Sequence, residues 1–152
     1  MSVCVVTEAT IERPRAEVAT FVADPNNAPH WYANIKSVEW ETEPPLNLGS
    51  RLAFVAAFLG RRLAYTYEVT EYLPDERLVM RTAQGPFPME TSYTWASTGQ
   101  GGTRMTLRNR GVPSGFSRLA APVMAASMRN ANRKDLERLK QLLERPPGPA
   151  SR

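Results

Sequence analysis

The sequence predicts an α+β protein in which a curved antiparallel sheet of about seven strands wraps on a long C-terminal helix. The periodicity runs from one strand through short helical segments to about six strand-like runs, and an amphipathic helical stripe closes the chain. Short turn-type connectors between the strand runs favour antiparallel neighbours. Bulky aromatic side chains alternate along these runs, and alternating positions share one face of a sheet. These aromatic residues are Trp40, Phe54, Phe58, Tyr65, Tyr67, Tyr93 and Trp95.

The first elements are a strand and two short helices. Residues 2–11 alternate as a strand does, and a helical period follows from Pro14, which suits a first helical turn. Asp24 and Pro25 end that helix, and Asp24 can cap a second short helix that leads to Trp31.

Six further strands are predicted by alternation between turn signals. Gly, Pro and Asn residues mark the connectors, as in the Gly-Pro-Phe-Pro run at 85–88. A long curved sheet with bulky inward groups, covered by one helix, can enclose a pocket. The predicted strands are 35–42, 51–59, 63–72, 77–82, 89–96 and 103–110.

The C-terminal region has a helical period from Pro113 onward. Pro122 lies inside the apolar stripe and predicts a break between a short helix and the long one, because proline clashes with the preceding turn. Residues 146–152 are rich in proline and glycine, and we expect a disordered tail there. Residues 1–145 are predicted to form one domain.

Composition places the chain among soluble globular proteins. It has 152 residues, 42% hydrophobic and 22% charged, and a net charge of +4. Residues 129–145 mix both charge signs at helical spacing, which is typical of a solvated helix face rather than a nucleic-acid surface. No apolar run reaches the ~20 residues of a membrane span. We expect a cytoplasmic monomer or homodimer that binds no nucleic acid and does not insert into membranes.

The single cysteine and single histidine limit the possible chemistry. They exclude a His/Cys zinc site, and no metal or cofactor is predicted. Cys4 lies in the first strand and is expected to be a packed thiol. His30 is either a general base at a cavity mouth or a partly exposed loop histidine, and the pattern favours the loop histidine.

Charged side chains on the strands mostly have the parity opposite to the aromatic residues. We therefore expect Glu68, Arg81, Glu90, Arg104 and Arg108 to face solvent. Asn109 shares parity with Met105 and Leu107, which leaves open both an approach to the cavity and a strand-end hydrogen bond. No pair of groups is clearly placed for acid–base catalysis.

Six stretches, in this order and spacing, carry a resemblance to a known superfamily. The chain resembles the helix-grip fold of the START-like, SRPBCC or polyketide cyclase/dehydrase superfamily over roughly residues 3–145. The stretches are IERPRAEVATFVADP (11–25), HW (30–31), LGSR (48–51), YEVTEYLP (67–74), GTRMT (102–106) and NRKDLERLKQLLE (132–144).

The resemblance implies a cavity between the sheet and the long helix that binds apolar or amphipathic small molecules. Aromatic and methionine residues could line that cavity, although the same pattern also suits a filled core. The candidate ligand-binding residues are Trp31, Phe54, Phe58, Tyr65, Tyr67, Tyr93, Trp95, Met105, Met124 and Met128.

Three functions stay open at this stage. The first is binding of a hydrophobic or aromatic small molecule, either lipid-like or polyketide-like. The second is a polyketide cyclase/aromatase-type enzyme, in which proximity supplies much of the rate and Tyr93 and His30 are the residues to test. The third is a protein-interaction module that uses the basic outer helix on an acidic partner.

Overall fold

A computed structural model describes residues 2–112 and 121–145 of the chain. Its element order confirms the predicted helix-grip architecture. The elements are β1 (Val3–Ile11), α1 (Arg15–Ala23), a 3-10 turn (Pro25–Asn27), α2 (Ala28–Trp31), β2 (Ile35–Trp40), β3 (Arg51–Phe58), β4 (Arg61–Leu73), β5 (Arg77–Gln84), β6 (Met89–Ser97), β7 (Thr103–Gly111) and α3 (Ala121–Glu144).

The seven strands form one curled antiparallel sheet in the order β1-β7-β6-β5-β4-β3-β2. The first strand of the chain pairs with the last one. Register shifts interrupt the pairing of β2 with β3 and of β4 with β5. Such irregularities increase the local twist and bend of a strand, which helps the sheet to curl around α3.

The helix α3 is fastened along the edge strand β1. Lys140 Nζ donates a hydrogen bond to the Thr10 carbonyl at 2.8 Å, and the Glu12 N–H donates to Glu144 Oε2 at 2.7 Å. Arg13 Nε donates to the Leu143 carbonyl at 2.9 Å, which satisfies one of the free carbonyls at the helix end. These contacts fix the C-terminal half of α3 across the open side of the sheet.

The core lies between the concave face of the sheet and the helices. Leu52, Leu78 and Leu107 from three strands and Leu136 and Leu139 from α3 are almost completely buried in one cluster. The N-terminal half of α3 contributes Met124 to a second cluster with Val3, Val5 and Leu63. The space between these two clusters is where α3 and the sheet leave a cavity.

The predictions for the two ends of the chain have different outcomes. Cys4 is exposed, so the prediction of a packed thiol is wrong: β1 alternates, and Val3 and Val5 take the buried positions on either side of it. Pro122 lies in the first turn of α3, where proline is tolerated. The predicted preceding helix and the predicted tail fall on 113–120 and 146–152, outside the described residues.

Candidate functional site

A cavity of about 170 Å³ lies between the concave face of the sheet and α3. Its walls are largely aromatic and aliphatic, and they come from strands β1 to β7 and from α1, α2 and α3. Apolar walls with a few polar groups are the usual form of a small-molecule site. Its aromatic and polar lining residues include Trp31, Tyr32, Phe54, Tyr65, Tyr67, Thr91, Tyr93, Asn109, Asn132 and Asp135.

Eight of the ten candidate ligand-binding residues line this cavity. They are Trp31, Phe54, Phe58, Tyr65, Tyr67, Tyr93, Met124 and Met128.

Trp95 and Met105 are not among the lining residues. They face each other across β6 and β7 and are 3% and 0% exposed. Helix α1 packs against β6, and Val18 and Val22 of α1 belong to the same core cluster as Trp95. This end of the concave face is therefore filled by protein.

The aromatic rings form two groups around the cavity. In the first group, Trp31 stacks on Tyr32 with ring centroids 3.9 Å apart and meets Tyr93 edge-on at 6.2 Å. In the second group, Tyr65 stacks on Phe54 at 5.6 Å and meets Tyr67 at 5.0 Å. Offset and edge-to-face arrangements hold such rings in fixed orientations. The cavity is therefore bounded by rings whose positions are set by their neighbours.

Tyr67, Thr91 and Asn109 form one polar chain on β4, β6 and β7. Thr91 Oγ1 donates to Asn109 Oδ1 at 2.7 Å, and the Tyr67 and Thr91 hydroxyls are 2.8 Å apart. A threonine hydroxyl has a single proton, so Tyr67 is the donor in the second bond. Burial raises the pKa of Tyr67 to about 12. The donors of both hydroxyls are thus used within the protein.

Tyr32 and Tyr93 form a second polar group, between α2 and β6. Their hydroxyl oxygens are 2.6 Å apart, so one phenol donates to the other. Burial is the main cause that raises the pKa of both phenols well above 10.0, so both stay protonated at neutral pH. Two hydroxyl protons serve one mutual hydrogen bond, which leaves one O–H for another acceptor.

Asp135 of α3 is the acidic group beside these phenols. It is 4% exposed, and its Oδ1 accepts a hydrogen bond from the Ala33 N–H at 3.1 Å. Burial raises the pKa of this carboxyl to about 6, against smaller opposing effects of the Ala33 hydrogen bond and the Arg138 charge. One turn earlier on the same face, Asn132 is 5% exposed and lines the same cavity.

Sequence reasoning missed the polar half of the site, namely Tyr32, Thr91, Asn132 and Asp135. A signal was present in α3. Asn132 and Asp135 follow Met124 and Met128 at spacings of three and four residues, so they continue the face that carries the two methionines. Polar residues in an apolar helical stripe are a sign of a buried polar site.

Two expectations about polar strand residues have clear outcomes. Asn109 lines the cavity and also accepts a hydrogen bond, so both of its open possibilities are found together. Glu90 is only 9% exposed, and the prediction that it faces solvent is wrong. Arg81 and Arg110 on the neighbouring strands bind its carboxylate at 2.7 and 2.9 Å and cover it. Their charges and hydrogen bonds outweigh the effect of burial and lower the pKa of Glu90.

His30 lies outside the cavity. Its side chain is exposed at α2, and its backbone carbonyl accepts a hydrogen bond from Arg138 Nε at 2.8 Å. It is not among the residues that line the cavity. The position agrees with the favoured interpretation of an exposed histidine.

Within the described residues, no helix is long and apolar enough to cross a membrane.

The sequence matches a protein family over residues 2–144, which is nearly the whole chain. That family is described as polyketide cyclase / dehydrase and lipid transport. The chain belongs to this family. The match confirms the resemblance to the START-like and SRPBCC proteins. No curated protein matches the chain.

Several solved structures share the fold at low sequence identity. A protein of Thermus thermophilus superposes with a TM-score of 0.77 at 20% identity, over 91% of this chain and 94% of that one. The Zhui aromatase/cyclase of Streptomyces sp. R1128 gives 0.77 at 16% identity, over 95% of each chain. A START superfamily protein of Mycobacterium smegmatis gives 0.71 at 17% identity, over 93% and 94%.

The family match establishes the family of the chain, and the solved structures establish its fold. At identities of 20% or below, they do not carry over a ligand or a reaction, because one fold hosts many functions. The function is therefore inferred from the cavity and its polar groups.

Proposed function

We propose that this protein reversibly binds a small hydrophobic or aromatic molecule in the cavity between the sheet and α3. The observation that carries the proposal is a cavity of about 170 Å³ whose walls are fixed aromatic rings and methionines. Empty space inside a protein costs stability, since its lining atoms lose dispersion contacts. A ligand that fills a cavity of this size restores those contacts, which favours binding.

The cavity size sets the size of the ligand. An engineered apolar cavity of about 150 Å³ holds benzene, whereas sites for drug-sized ligands occupy roughly 300–1,000 Å³. A ligand of one or two fused rings is the best fit to about 170 Å³. Trp31, Tyr65 and Tyr93 offer ring faces and edges to such a ligand, and Met124 and Met128 supply walls that can adjust to its outline.

Filling the cavity should weaken binding strongly. Ala56 of β3 is buried and lines the cavity, and its strand partner Leu63 lines it too. The Ala56→Leu variant places a larger side chain in that space. We expect it to weaken binding of naphthalene, measured by isothermal titration calorimetry, more than about tenfold, because the ligand must compete with the leucine for volume.

The matched control is Ala57→Leu, one residue further along the same strand. Ala57 points to the opposite face and is not among the lining residues. This variant should bind naphthalene as the unmodified protein does. Equal affinities of the Ala56→Leu and unmodified proteins would show that the ligand does not occupy this cavity, and would reject the proposal.

A second candidate function is catalysis of an intramolecular ring closure on a polyketone chain. The observation in its favour is the Asp135 carboxyl, whose pKa is raised by burial to about 6, beside the phenol pair Tyr32 and Tyr93. A carboxyl and a phenol with pKa values on either side of neutrality can divide the roles of base and acid. The shape of the cavity would supply the proximity.

The Tyr93→Phe variant separates catalysis from binding. If Tyr93 donates a proton in the reaction, turnover of a poly-β-ketone thioester should fall about 100-fold or more, while naphthalene affinity stays within about threefold. Tyr72→Phe is the control, since Tyr72 lies outside this cavity. Product formation followed by mass spectrometry is the measurement. Full turnover in Tyr93→Phe would remove Tyr93 from the catalytic role.

A further inference from the structure

The hydrogen-bonding groups of the cavity are unequally satisfied. Toward β7, the hydroxyl protons of Tyr67 and Thr91 are both used in hydrogen bonds within the protein. Tyr67 donates to Thr91, and Thr91 donates to Asn109. Toward α3, the phenol pair keeps one O–H beyond its mutual bond. The α3 side therefore has a hydroxyl proton that is available to a polar group of a ligand.

Asn132 adds an unused donor group on that side. Its side chain is 5% exposed and lines the cavity, and its Nδ2 has no hydrogen-bond partner among the described residues. An amide Nδ2 carries two N–H donors, and leaving them buried without an acceptor destabilises the protein. A ligand oxygen placed near Asn132 would remove this penalty.

Asp135 supplies a negative charge next to these donors. The groups that face it are the phenols Tyr32 and Tyr93, the Ala33 N–H and, on its own helix, Arg138. No ion pair of Asp135 is found within the described part of the chain, and Arg138 Nε is directed to the His30 carbonyl. The carboxylate is therefore balanced by the hydrogen bond from Ala33 and by the charge of Arg138, without an ion pair among the described residues.

The positive charge among the described lining residues is already paired with an acidic side chain. Arg110 is a lining residue, and its Nε lies 2.9 Å from the Glu90 carboxylate. A ligand carboxylate in the cavity would thus meet the Asp135 charge without a free arginine or lysine among the described lining residues. In a site of low dielectric constant, two like charges that are close together repel each other strongly.

We propose that Asp135 and Asn132 form a selectivity subsite that admits a neutral, hydroxyl-bearing aromatic ligand and rejects the corresponding carboxylate. This proposal rests on the binding function proposed above and specifies its ligand class. The ligand hydroxyl donates to the Asp135 carboxylate, and its oxygen accepts from Asn132 Nδ2. Phenols and enols have this pair of properties, whereas fatty acids and aryl carboxylates have an acceptor and a charge but no donor.

The test compares three ligands that share one ring system: naphthalene, β-naphthol and β-naphthoate. Each is titrated by calorimetry at about pH 8, where a phenol is protonated and Asp135 is ionised. The unmodified protein should bind β-naphthol about tenfold more tightly than naphthalene, because of one hydrogen bond to a charged group. It should bind β-naphthoate at least about tenfold more weakly than naphthalene.

The Asp135→Asn variant should change this order of preference. Asparagine keeps the acceptor for the Ala33 N–H, but it replaces the second carboxylate oxygen with a donor and removes the charge. β-Naphthol should lose most of its tenfold advantage, and β-naphthoate should bind at least about tenfold more tightly than it does to the unmodified protein. Glu137→Gln neutralises an exposed acid on the same helix and should leave all three affinities unchanged.

A second variant tests the donor separately. Asn132→Leu should weaken β-naphthol about fivefold more than it weakens naphthalene, since only the hydroxyl ligand uses the amide. If naphthalene binds but the three ligands rank alike in the unmodified protein and in Asp135→Asn, the selectivity subsite is rejected and the binding function stands. If none of the three binds to the unmodified protein, the binding function fails and the subsite fails with it.

Discussion

Replacing Trp31 with alanine should lower the free energy of unfolding by about 4 kcal/mol, the largest effect expected for a single residue of the cavity wall. Trp31 is 1% exposed, its ring stacks on Tyr32 at 3.9 Å, and it meets Tyr93 at 6.2 Å. Its removal takes away most of the dispersion contacts of a large side chain and joins a new void to the existing cavity.

Urea denaturation followed by circular dichroism measures this loss. The Trp31→Phe variant keeps a ring against Tyr32 and removes an indole N–H that has no partner among the described residues, so it should lose only about 1–2 kcal/mol. Trp40→Ala is the control: Trp40 is half-buried, lies outside this cavity, and should cost about 1–2 kcal/mol. A loss below about 1 kcal/mol for Trp31→Ala would contradict the packing role assigned here.

The enlarged cavity of Trp31→Ala has a functional consequence as well. If ligand size is set by this wall, the variant should bind a three-ring aromatic such as anthracene relatively better than naphthalene. The stability and the size preference would then change together, because the same indole ring supplies both the packing and the boundary.

The strands and helices of this fold could be predicted from the sequence because the patterns that indicate them are local. Alternation of side chains, turn residues and the change to a helical period each depend on neighbouring positions, and the predicted strands agree with the observed ones to within about two residues. The same locality explains the error at Cys4. Alternation in β1 was visible, but the choice of the buried face depends on α3, which packs across β1 from the other end of the chain.

The apolar wall of the site was largely predictable, and its limits were not. Parity grouped the strand aromatics correctly, since residues two positions apart share a face. Parity cannot tell that α1 covers the part of that face where Trp95 and Met105 lie, because the packing of α1 against β6 is a long-range contact. The division between cavity wall and filled core is decided by where the helices lie.

The polar residues of the site were missed for a similar reason. Asp135 becomes part of the site because the rotation of α3 brings it to Tyr32, Tyr93 and the Ala33 N–H, three groups about 40 to 100 positions away in the chain. Glu90 was assigned to solvent because its parity is opposite to that of the aromatic residues. Its burial depends on two arginines on the neighbouring strands, and the pairing register that aligns them was not available from the sequence.

The Asp135→Asn variant should also stabilise the protein at neutral and alkaline pH, by about 2 kcal/mol. Burial raises the pKa of the Asp135 carboxyl to about 6 from 3.8. A shift of about two pKa units corresponds to about 3 kcal/mol, which solvent screening of a carboxyl beside a cavity lowers to about 2 kcal/mol. Asparagine keeps the hydrogen bond from Ala33 and carries no charge to bury.

The pH dependence identifies this cause. Because the folded protein holds the Asp135 proton more tightly than the unfolded chain, its stability falls as the pH rises from about 4 to about 6 and stays low above that. Glu90 and Glu144 act in the opposite direction, since their pKa values are lowered and their contributions are lost as the pH falls. The difference between the variant and the unmodified protein removes these shared contributions.

That difference should therefore be close to zero at about pH 4 and reach about 2 kcal/mol by about pH 7. Urea denaturation at a series of pH values measures it, with Glu137→Gln as the control that should show no such step. A difference that does not vary with pH would mean that asparagine acts through packing, and that Asp135 is not a buried titrating group. Asp135 would then lower the stability of the protein at neutral pH and also provide its ligand selectivity. This combination is expected of a residue that is retained for binding.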